Sequence, residues 1–366
     1  MRRTPAHDPV RLDRLGQGAR SLVLPEFFMP FPERRPNPAH RRAEAGMWRW
    51  IGETGLCPTE PARANTERTM PALLMALYYP RAGAGILELL AQWTAWAFIV
   101  DDEFDDGAAG RDPATVLAAI TSLVDVMDGA PPANPLAEAL AGLWQRLTAR
   151  CPAAWGRVFR RDVVAWLNTY YVEAVDRIAA PVPSGADFVL HRRESVGIRT
   201  FLDGCEPALG LHPPDAVRLL PAFAAARRAA CDHVGLINDI FSVGKDLEVG
   251  YWHNAVFITR HHGGHTLQEA AGQVNDLLTE VVHRLVEALE RLPAELDAAG
   301  VGEPARSRAR ALVRGYLDVV RGNYDFHFLA PRYQPATRSP DGPGGYVANL
   351  FSRPARGPAG QGTSTR

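Results

Sequence analysis

Between Asp101 and Asp106 the chain carries five carboxylates in six positions: Asp101-Asp102-Glu103-Phe104-Asp105-Asp106. They follow directly on an apolar run that includes Trp93, Trp96, Phe98, Ile99 and Val100. On a helix, Asp101 and Asp105 stand one turn apart on one face, with Asp102 and Asp106 as a neighbouring pair. Carboxylates packed so closely repel unless a cation stands between them. Negative charge at a helix C-terminus also opposes the helix dipole. A divalent metal is the simplest offset to both costs.

A second set of oxygen donors recurs at intervals of four: Asn238, Ser242 and Asp246. Each step drifts only about 40° around a helix, so amide, hydroxyl and carboxylate share one face over two turns. Val234, Leu236, Ile237, Ile240 and Phe241 make the surroundings apolar, and a polar stripe there needs partners. Lys245 adjoins the stripe as a point charge suited to a phosphate oxygen. Glu248 sits about 200° round from Asp246 and falls outside it. Hard oxygen donors suit Mg²⁺, which takes carboxylates, waters and substrate phosphates. The chemistry indicated is metal-assisted handling of a phosphorylated, hydrophobic substrate.

The elements that must position these groups read as helices. Asn37-Pro38, Asp112-Pro113 and Asn134-Pro135 each place a capping side chain before a proline suited to a first helical turn. Thr266-Leu267-Gln268-Glu269 fits a capping box that opens a long amphipathic run to about residue 292, with Leu277, Val281, Leu285 and Leu289 at i+4 spacing. Further helices are expected over 137–150, 155–180, 215–246 and 305–329, and alternating strand patterns are nearly absent. The expected fold class is all-α.

The 366 residues are 46% apolar and 22% charged, enough for one large core. That core is expected over residues 22–333 as one domain. It is flanked by a loose N-terminal tail (1–21) and a flexible Pro/Gly-rich C-terminal tail (334–366). A net charge of −1 offers no general attraction to nucleic acid or anionic lipid, so an anionic ligand must be held by local charge. The four cysteines lie far apart, with no C-x-x-C pair, and read as buried reduced thiols. His261-His262-Gly263-Gly264-His265 reads as a connection between helices, not as a metal site. The greasy stretch from Ile86 to Val100 is interrupted by Glu88 and Gln92 and is shorter than the ~20 residues of a membrane span. A cytoplasmic protein without a membrane span is expected.

The two oxygen-rich segments, in this order and spacing, resemble those of bacterial class I terpene synthases (terpene cyclases). The resemblance covers about residues 22–333. Phe27-Phe28-Met29-Pro30-Phe31-Pro32 with Asn37-Pro38 resembles the family's N-terminal strap, and Ala76-Leu77-Tyr78-Tyr79-Pro80 its next landmark. Asp101–Asp106 is similar to the aspartate-rich motif, and Asn238, Ser242 and Asp246 match the second metal-binding triad. His191-Arg192-Arg193-Glu194-Ser195-Val196-Gly197 resembles the segment carrying the diphosphate-sensing arginine. Counting four back from Gly197 selects Arg193, with Arg192 as the runner-up. Asn323-Tyr324-Asp325-Phe326 followed by Arg332-Tyr333 resembles the closing Arg-Tyr pair. Two departures stand out: Asp246 replaces the family's usual glutamate, and Phe326 stands where tryptophan is frequent.

The resemblance implies a helical bundle around an apolar pocket and a reaction in which a linear prenyl diphosphate ionises and its carbocation cyclises. Farnesyl diphosphate is the first expectation and geranylgeranyl diphosphate the second. A three-ion Mg²⁺ cluster is implied, held by Asp101, Asp105, Asp106, Asn238, Ser242 and Asp246. Arg193 and Asp102 take catalytic roles, and Arg193, Lys245, Arg332 and Tyr333 grip the diphosphate. Phe98, Trp93, Tyr78 and Phe326 are expected to line the pocket, where aromatic faces attract a cation by about 0.5–2 kcal/mol each. An antiparallel homodimer is common among similar proteins. The alternatives are a chain-elongating prenyltransferase, which would carry a second aspartate cluster in place of the triad, and a non-catalytic helical isoprenoid-binding protein.

Overall fold

The computed structural model describes residues 22–179, 182–333 and 345–356. The expected N-terminal tail lies outside the described residues. Among those described there is no strand, and helices follow one another from end to end. The first four are α1 (His40–Thr54), α2 (Glu60–Thr69), α3 (Pro71–Tyr78) and α4 (Ala84–Asp105). Next come α5 (Pro113–Met127), α6 (Pro135–Thr148), α7 (Ala153–Ala179), α8 (Gly185–Ser195) and α9 (Ile198–Leu209). A single turn, α10 (Asp215–Arg218), leads to α11 (Pro221–Val249). The series closes with α12 (Ala255–Gly263), α13 (Leu267–Ala298) and α14 (Ala305–Leu329).

Side-chain caps open α2, α5, α6, α8, α12 and α13. Asp112 accepts from Thr115 N and Asn134 from Ala137 N, each with proline in the first turn. Thr266 and Glu269 form the reciprocal capping box that opens α13. Asn37 keeps part of its expected role, its Oδ1 accepting from Ala39 N at 2.9 Å in the turn that leads into α1, and adds another. Helix α1 begins only at His40, and the buried Asn37 amide donates to the carbonyls of Tyr79 and Ala82, 2.8 Å each. It therefore stitches the N-terminal strap to the α3–α4 connection. On α13 the buried stripe runs through Val274, Leu278, Val281, Leu285, Ala288 and Leu292, while Leu277 and Leu289 flank it half-buried.

One apolar core holds the bundle together. Helix α11 packs along α13 and α14, α4 against α1 and α3, and α14 across α3. Where α14 crosses α3, Gly322 brings the two backbones together: a Cβ there would meet the Leu77 carbonyl carbon and oxygen at 2.7 Å. Gly322→Ala is expected to destabilise the fold by about 1–3 kcal/mol, the usual cost of overpacking. A melting temperature equal to the parent's in thermal denaturation would show that the crossing tolerates the methyl. The strap lies over the same region, with Phe27 stacked on Phe241 at 5.6 Å and the Phe31 carbonyl accepting from Arg321. All four cysteines are free, Cys205 and Cys231 being buried.

The C-terminal expectation needs correction. Residues 345–356 lie within the stretch that composition marks as a loose tail, yet they pack against the acid end of α4, with Ala348 and Leu350 buried. Those two apolar side chains, set among glycines and prolines, help to anchor a short segment on the surface of α4. Among the described residues no helix is long and apolar enough to cross a membrane.

Candidate active site

Helices α4, α7, α8, α9 and α11, with the 3₁₀ turn Pro331–Tyr333, surround an open-mouthed cavity. Asp101 and Asp105 of α4 line it, and so do Asn238, Ser242, Lys245 and Asp246 of α11. The two oxygen-rich segments, far apart in sequence, share one space. Their helical spacing is what makes this possible: residues a turn apart on each helix face the same way.

Each donor is held by neighbours. Asp101 Oδ1 accepts from the Tyr170 hydroxyl at 2.8 Å. Asp105 Oδ1 is buried with no hydrogen-bond partner, and burial, then the charges of Asp101 and Glu173, push its carboxyl well above the usual range. Across the cavity Ser242 donates to Asp246 Oδ2 at 2.5 Å, and Asn254 Nδ2 donates to the same oxygen at 2.8 Å. Burial raises Asp246 as well, against the opposing charge of Lys245 and these hydrogen bonds. Buried carboxylates with an unpartnered oxygen fit a bound cation. Among the described residues no three histidine, cysteine or carboxylate side chains are gathered into a metal cage of their own. A cation here must draw on the amide and hydroxyl oxygens of α11 and on oxygens brought by its ligand. This is the donor set Mg²⁺ accepts.

The basic groups stand around the same mouth. Lys245 is held above its ordinary range: burial and Arg332 oppose its charge, and Asp106, Asp102 and Asp101 outweigh them. The Arg332 guanidinium lies 5.3 Å from the Phe98 ring centroid and 5.8 Å from that of Tyr333. The Tyr333 hydroxyl accepts from Asn238 Nδ2 at 2.9 Å.

The structure separates the two candidate arginines. Arg192, not Arg193, lines the cavity. Its guanidinium forks between Asn238 Oδ1 and Asp239 Oδ1, both at 2.8 Å. Arg193 points the other way and forms a two-pronged pair with Asp232, at 2.6 and 2.9 Å. The cause is helical phase. Helix α8 ends at Ser195 and α9 begins at Ile198, with Gly197 between them at φ +66°, where a Cβ would meet the Trp166 ring 3.1 Å away. Counting back from this glycine therefore crosses a break, and adjacent α8 residues face about 100° apart.

Other expected residues also stand elsewhere. Asp102 turns from the cavity into a small recess beside Tyr346, where it accepts from Asn65 Nδ2 at 2.7 Å. Burial pushes its carboxyl up to about 7. Asp106, the C-cap of α4, accepts from the Tyr346 hydroxyl outside the cavity lining. Of the four aromatics, Phe98 lines the cavity; Trp93, Tyr78 and Phe326 are buried behind its wall. Trp93 packs on Trp96 and Phe159, Tyr78 meets Phe201 edge-on at 5.9 Å, and Phe326 does the same to Tyr333 at 6.4 Å. They back the lining without reaching the cavity.

Several lining residues had escaped notice: Trp166, Tyr170 and Glu173 of α7, Phe201 of α9, and Tyr251. Trp166, Tyr170 and Glu173 follow i, i+4, i+7 spacing, so they share a face, but nothing in α7 itself says that this face meets Asp101. Glu173 accepts from the Tyr251 hydroxyl and lies 2.9 Å from His191 Nε2. Burial works to raise this carboxyl; the His191 hydrogen bond and the charges of His253, His191 and Arg177 outweigh it and keep it ionised. The histidine-rich stretch expected as a connection instead supplies the last turn of α12 through Gly263, with only Gly264 and His265 beyond it; His262 Nε2 lies 2.7 Å from the Pro183 carbonyl oxygen and His265 Nε2 2.8 Å from Gln273.

Comparison with known proteins agrees with this geometry. The family described as "Terpene synthase family 2, C-terminal metal binding" matches residues 92–284, which span both oxygen-rich segments. Pristinol synthase of Streptomyces pristinaespiralis is 36% identical over 312 residues, 83% of each chain. The (2Z,6E)-hedycaryol synthase of Kitasatospora setae is also 36% identical, over 85% of this chain and 92% of its own. The solved structure of hedycaryol synthase in complex with HEPES superposes with a TM-score of 0.76 at 33% identity, covering 85% of this chain and all of that one.

Proposed function

This chain belongs to the bacterial class I terpene synthases, lyases that act on prenyl diphosphates, and we propose that it is a Mg²⁺-dependent cyclase of farnesyl diphosphate. The observation that carries this reading is the convergence of Asp101 and Asp105 with Asn238, Ser242 and Asp246 on one cavity. Asp101 and Asp105 on one wall, and Asn238, Ser242 and Asp246 on the other, would hold divalent cations, three by family resemblance. When bound, such ions supply the charge that neutralises a departing diphosphate.

The chain's own groups do the rest. Arg192 binds diphosphate oxygens with a directed guanidinium fork, and Lys245 and Arg332 add charge beside it. Tyr333 donates its hydroxyl to the same anion while Asn238 orients it. Together these groups stabilise charge as it develops on the leaving group, so the allylic C–O bond breaks and its electron pair departs with the diphosphate. Phe98, Trp166, Tyr170 and Phe201 form the aromatic wall that keeps water from the carbocation and offers it π faces. Asp106 stands outside the cavity lining and acts on the site through its charge, which helps to hold Lys245 in its charged form. The triad on α11, in place of a second aspartate cluster, separates this reading from chain elongation.

Separate incubation with C10, C15 and C20 prenyl diphosphates tests it, with pyrophosphate release and gas chromatography of the extracts as readouts. The expected result is a cyclic hydrocarbon or alcohol from the C15 substrate, lost on chelation and restored by Mg²⁺. Release from none of the three, or linear elongation products when a C5 diphosphate is added, would refute the proposal.

A further inference from the structure

Residues 345–356 follow the Arg332-Tyr333 pair and lie along the acid end of α4, beside the recess that takes Asp102. The Tyr346 hydroxyl donates to Asp106 Oδ2. Ala348 N donates to Glu103 Oε1 at 3.1 Å, and the amides of Asn349 and Leu350 point at the same carboxylate. Farther along, Ala355 N reaches the Ala133 carbonyl and Arg356 N reaches Glu138 Oε2 at 2.9 Å. The aromatic contacts run inward. Phe351 lies 4.9 Å from Phe104, which stacks at 4.5 Å on Tyr170. Tyr170 in turn donates to Asp101. A chain of two ring contacts and one hydrogen bond thus joins the segment to the carboxylate that lines the cavity.

The end of α4 needs such support. Its last turn is acidic, no basic residue sits in it, and the C-terminal dipole opposes its charge. Left alone, a turn of this kind frays and its carboxylates splay. Groups behind a metal ligand that fix its direction normally matter nearly as much as the ligand itself.

We infer that residues 345–356 brace the active site: the Phe351–Phe104–Tyr170 contacts tie the segment to Asp101, and Tyr346 is a positioning residue that, through the C-cap Asp106, fixes the last turn of α4 with its cavity-lining Asp105. Docking of this segment sets how tightly the acid-rich helix end takes its cation. The inference rests on the reading that these carboxylates bind divalent metal.

The test follows pyrophosphate release against free Mg²⁺ for the parent, Tyr346→Phe, Phe351→Ala, Asp106→Ala and the Tyr346→Phe/Asp106→Ala double variant. Circular dichroism and melting temperature accompany each. In Tyr346→Phe and Phe351→Ala the Mg²⁺ concentration for half-maximal rate is expected to rise about tenfold or more, as when an outer partner of a metal ligand is lost. Excess Mg²⁺ recovers most of the lost rate, a split that general unfolding does not produce. The double variant is expected to be no worse than Asp106→Ala, since the hydroxyl acts through that carboxylate. A Mg²⁺ dependence of Tyr346→Phe superposable on the parent's, or an effect that adds to that of Asp106→Ala, overturns the inference. Full turnover by Asp101→Ala in the same assay overturns the metal-site reading and this inference with it. An unaffected Tyr346→Phe beside an inactive Asp101→Ala overturns the inference alone.

Discussion

Asp101→Ala and Asn238→Ala are each expected to lower diphosphate release by about 10²–10³-fold, the size of effect found when one preorganised electrostatic group is removed from an active site. The two substitutions act from opposite walls of the cavity. Removing Asp101 takes away the carboxylate that Tyr170 orients. Removing Asn238 takes away an amide whose oxygen accepts from Arg192 and whose nitrogen donates to Tyr333, so it uncouples these two groups from each other. Neither change should unfold the protein. Asp101→Ala relieves repulsion with Asp105, which offsets the lost Tyr170 hydrogen bond. Helical circular dichroism should therefore match the parent's while pyrophosphate release fails. Undiminished turnover by either variant would exclude that residue from the cation site.

Arg192 and Arg193 make the second contrast, and the neighbours should behave unalike. Arg192 is the buried partner of Asp239, whose side chain is 1% exposed, and it also holds Asn238. Arg192→Ala strands a buried carboxylate, a loss of about 3–5 kcal/mol when one member of such a pair is removed. Arg192→Lys is the sharper probe, because a lysine keeps charge but cannot span Asn238 and Asp239 with one planar fork. It is expected to stay folded and to lose most of its ionisation rate. Arg193→Ala gives up only the pair with Asp232, about 1–3 kcal/mol for charged hydrogen bonds, and should turn over substrate at close to the parent rate. Single-turnover pyrophosphate release together with thermal melts separates the two effects. An inactive, well-folded Arg193→Ala beside an active Arg192→Lys would reverse the assignment.

The misplaced arginine illustrates how far a sequence carries. Within one helix, phase is legible: Asp101 with Asp105, and Asn238 with Ser242 and Asp246, each share a face because the α-helical repeat is fixed by backbone hydrogen bonding. Arg192 and Arg193 lie just before the break at Gly197, where that repeat no longer counts from the landmark used. Asp102 and Asp106 show a second limit. Both carboxylates belong to the motif, but Asn65 and Tyr346, distant in the chain, claim them. Aromatic lining was the least legible. Phe98 was recoverable from its spacing to Asp101, whereas Trp93, Tyr78 and Phe326 are as apolar as any lining residue and differ only in which side of the wall they occupy.

By itself, then, the order of residues determined the helical class, most of the caps, the two oxygen-bearing faces and the family they belong to. These depend on interactions within a few residues, whose geometry the peptide backbone repeats everywhere. Tertiary structure decided which α8 arginine enters the cavity, that α7 supplies Trp166, Tyr170 and Glu173 to it, and that a glycine-rich terminus contains a segment docked on α4. Each of those depends on the packing of apolar surfaces contributed by distant helices, and hydrophobic attraction carries no direction that one segment could record alone.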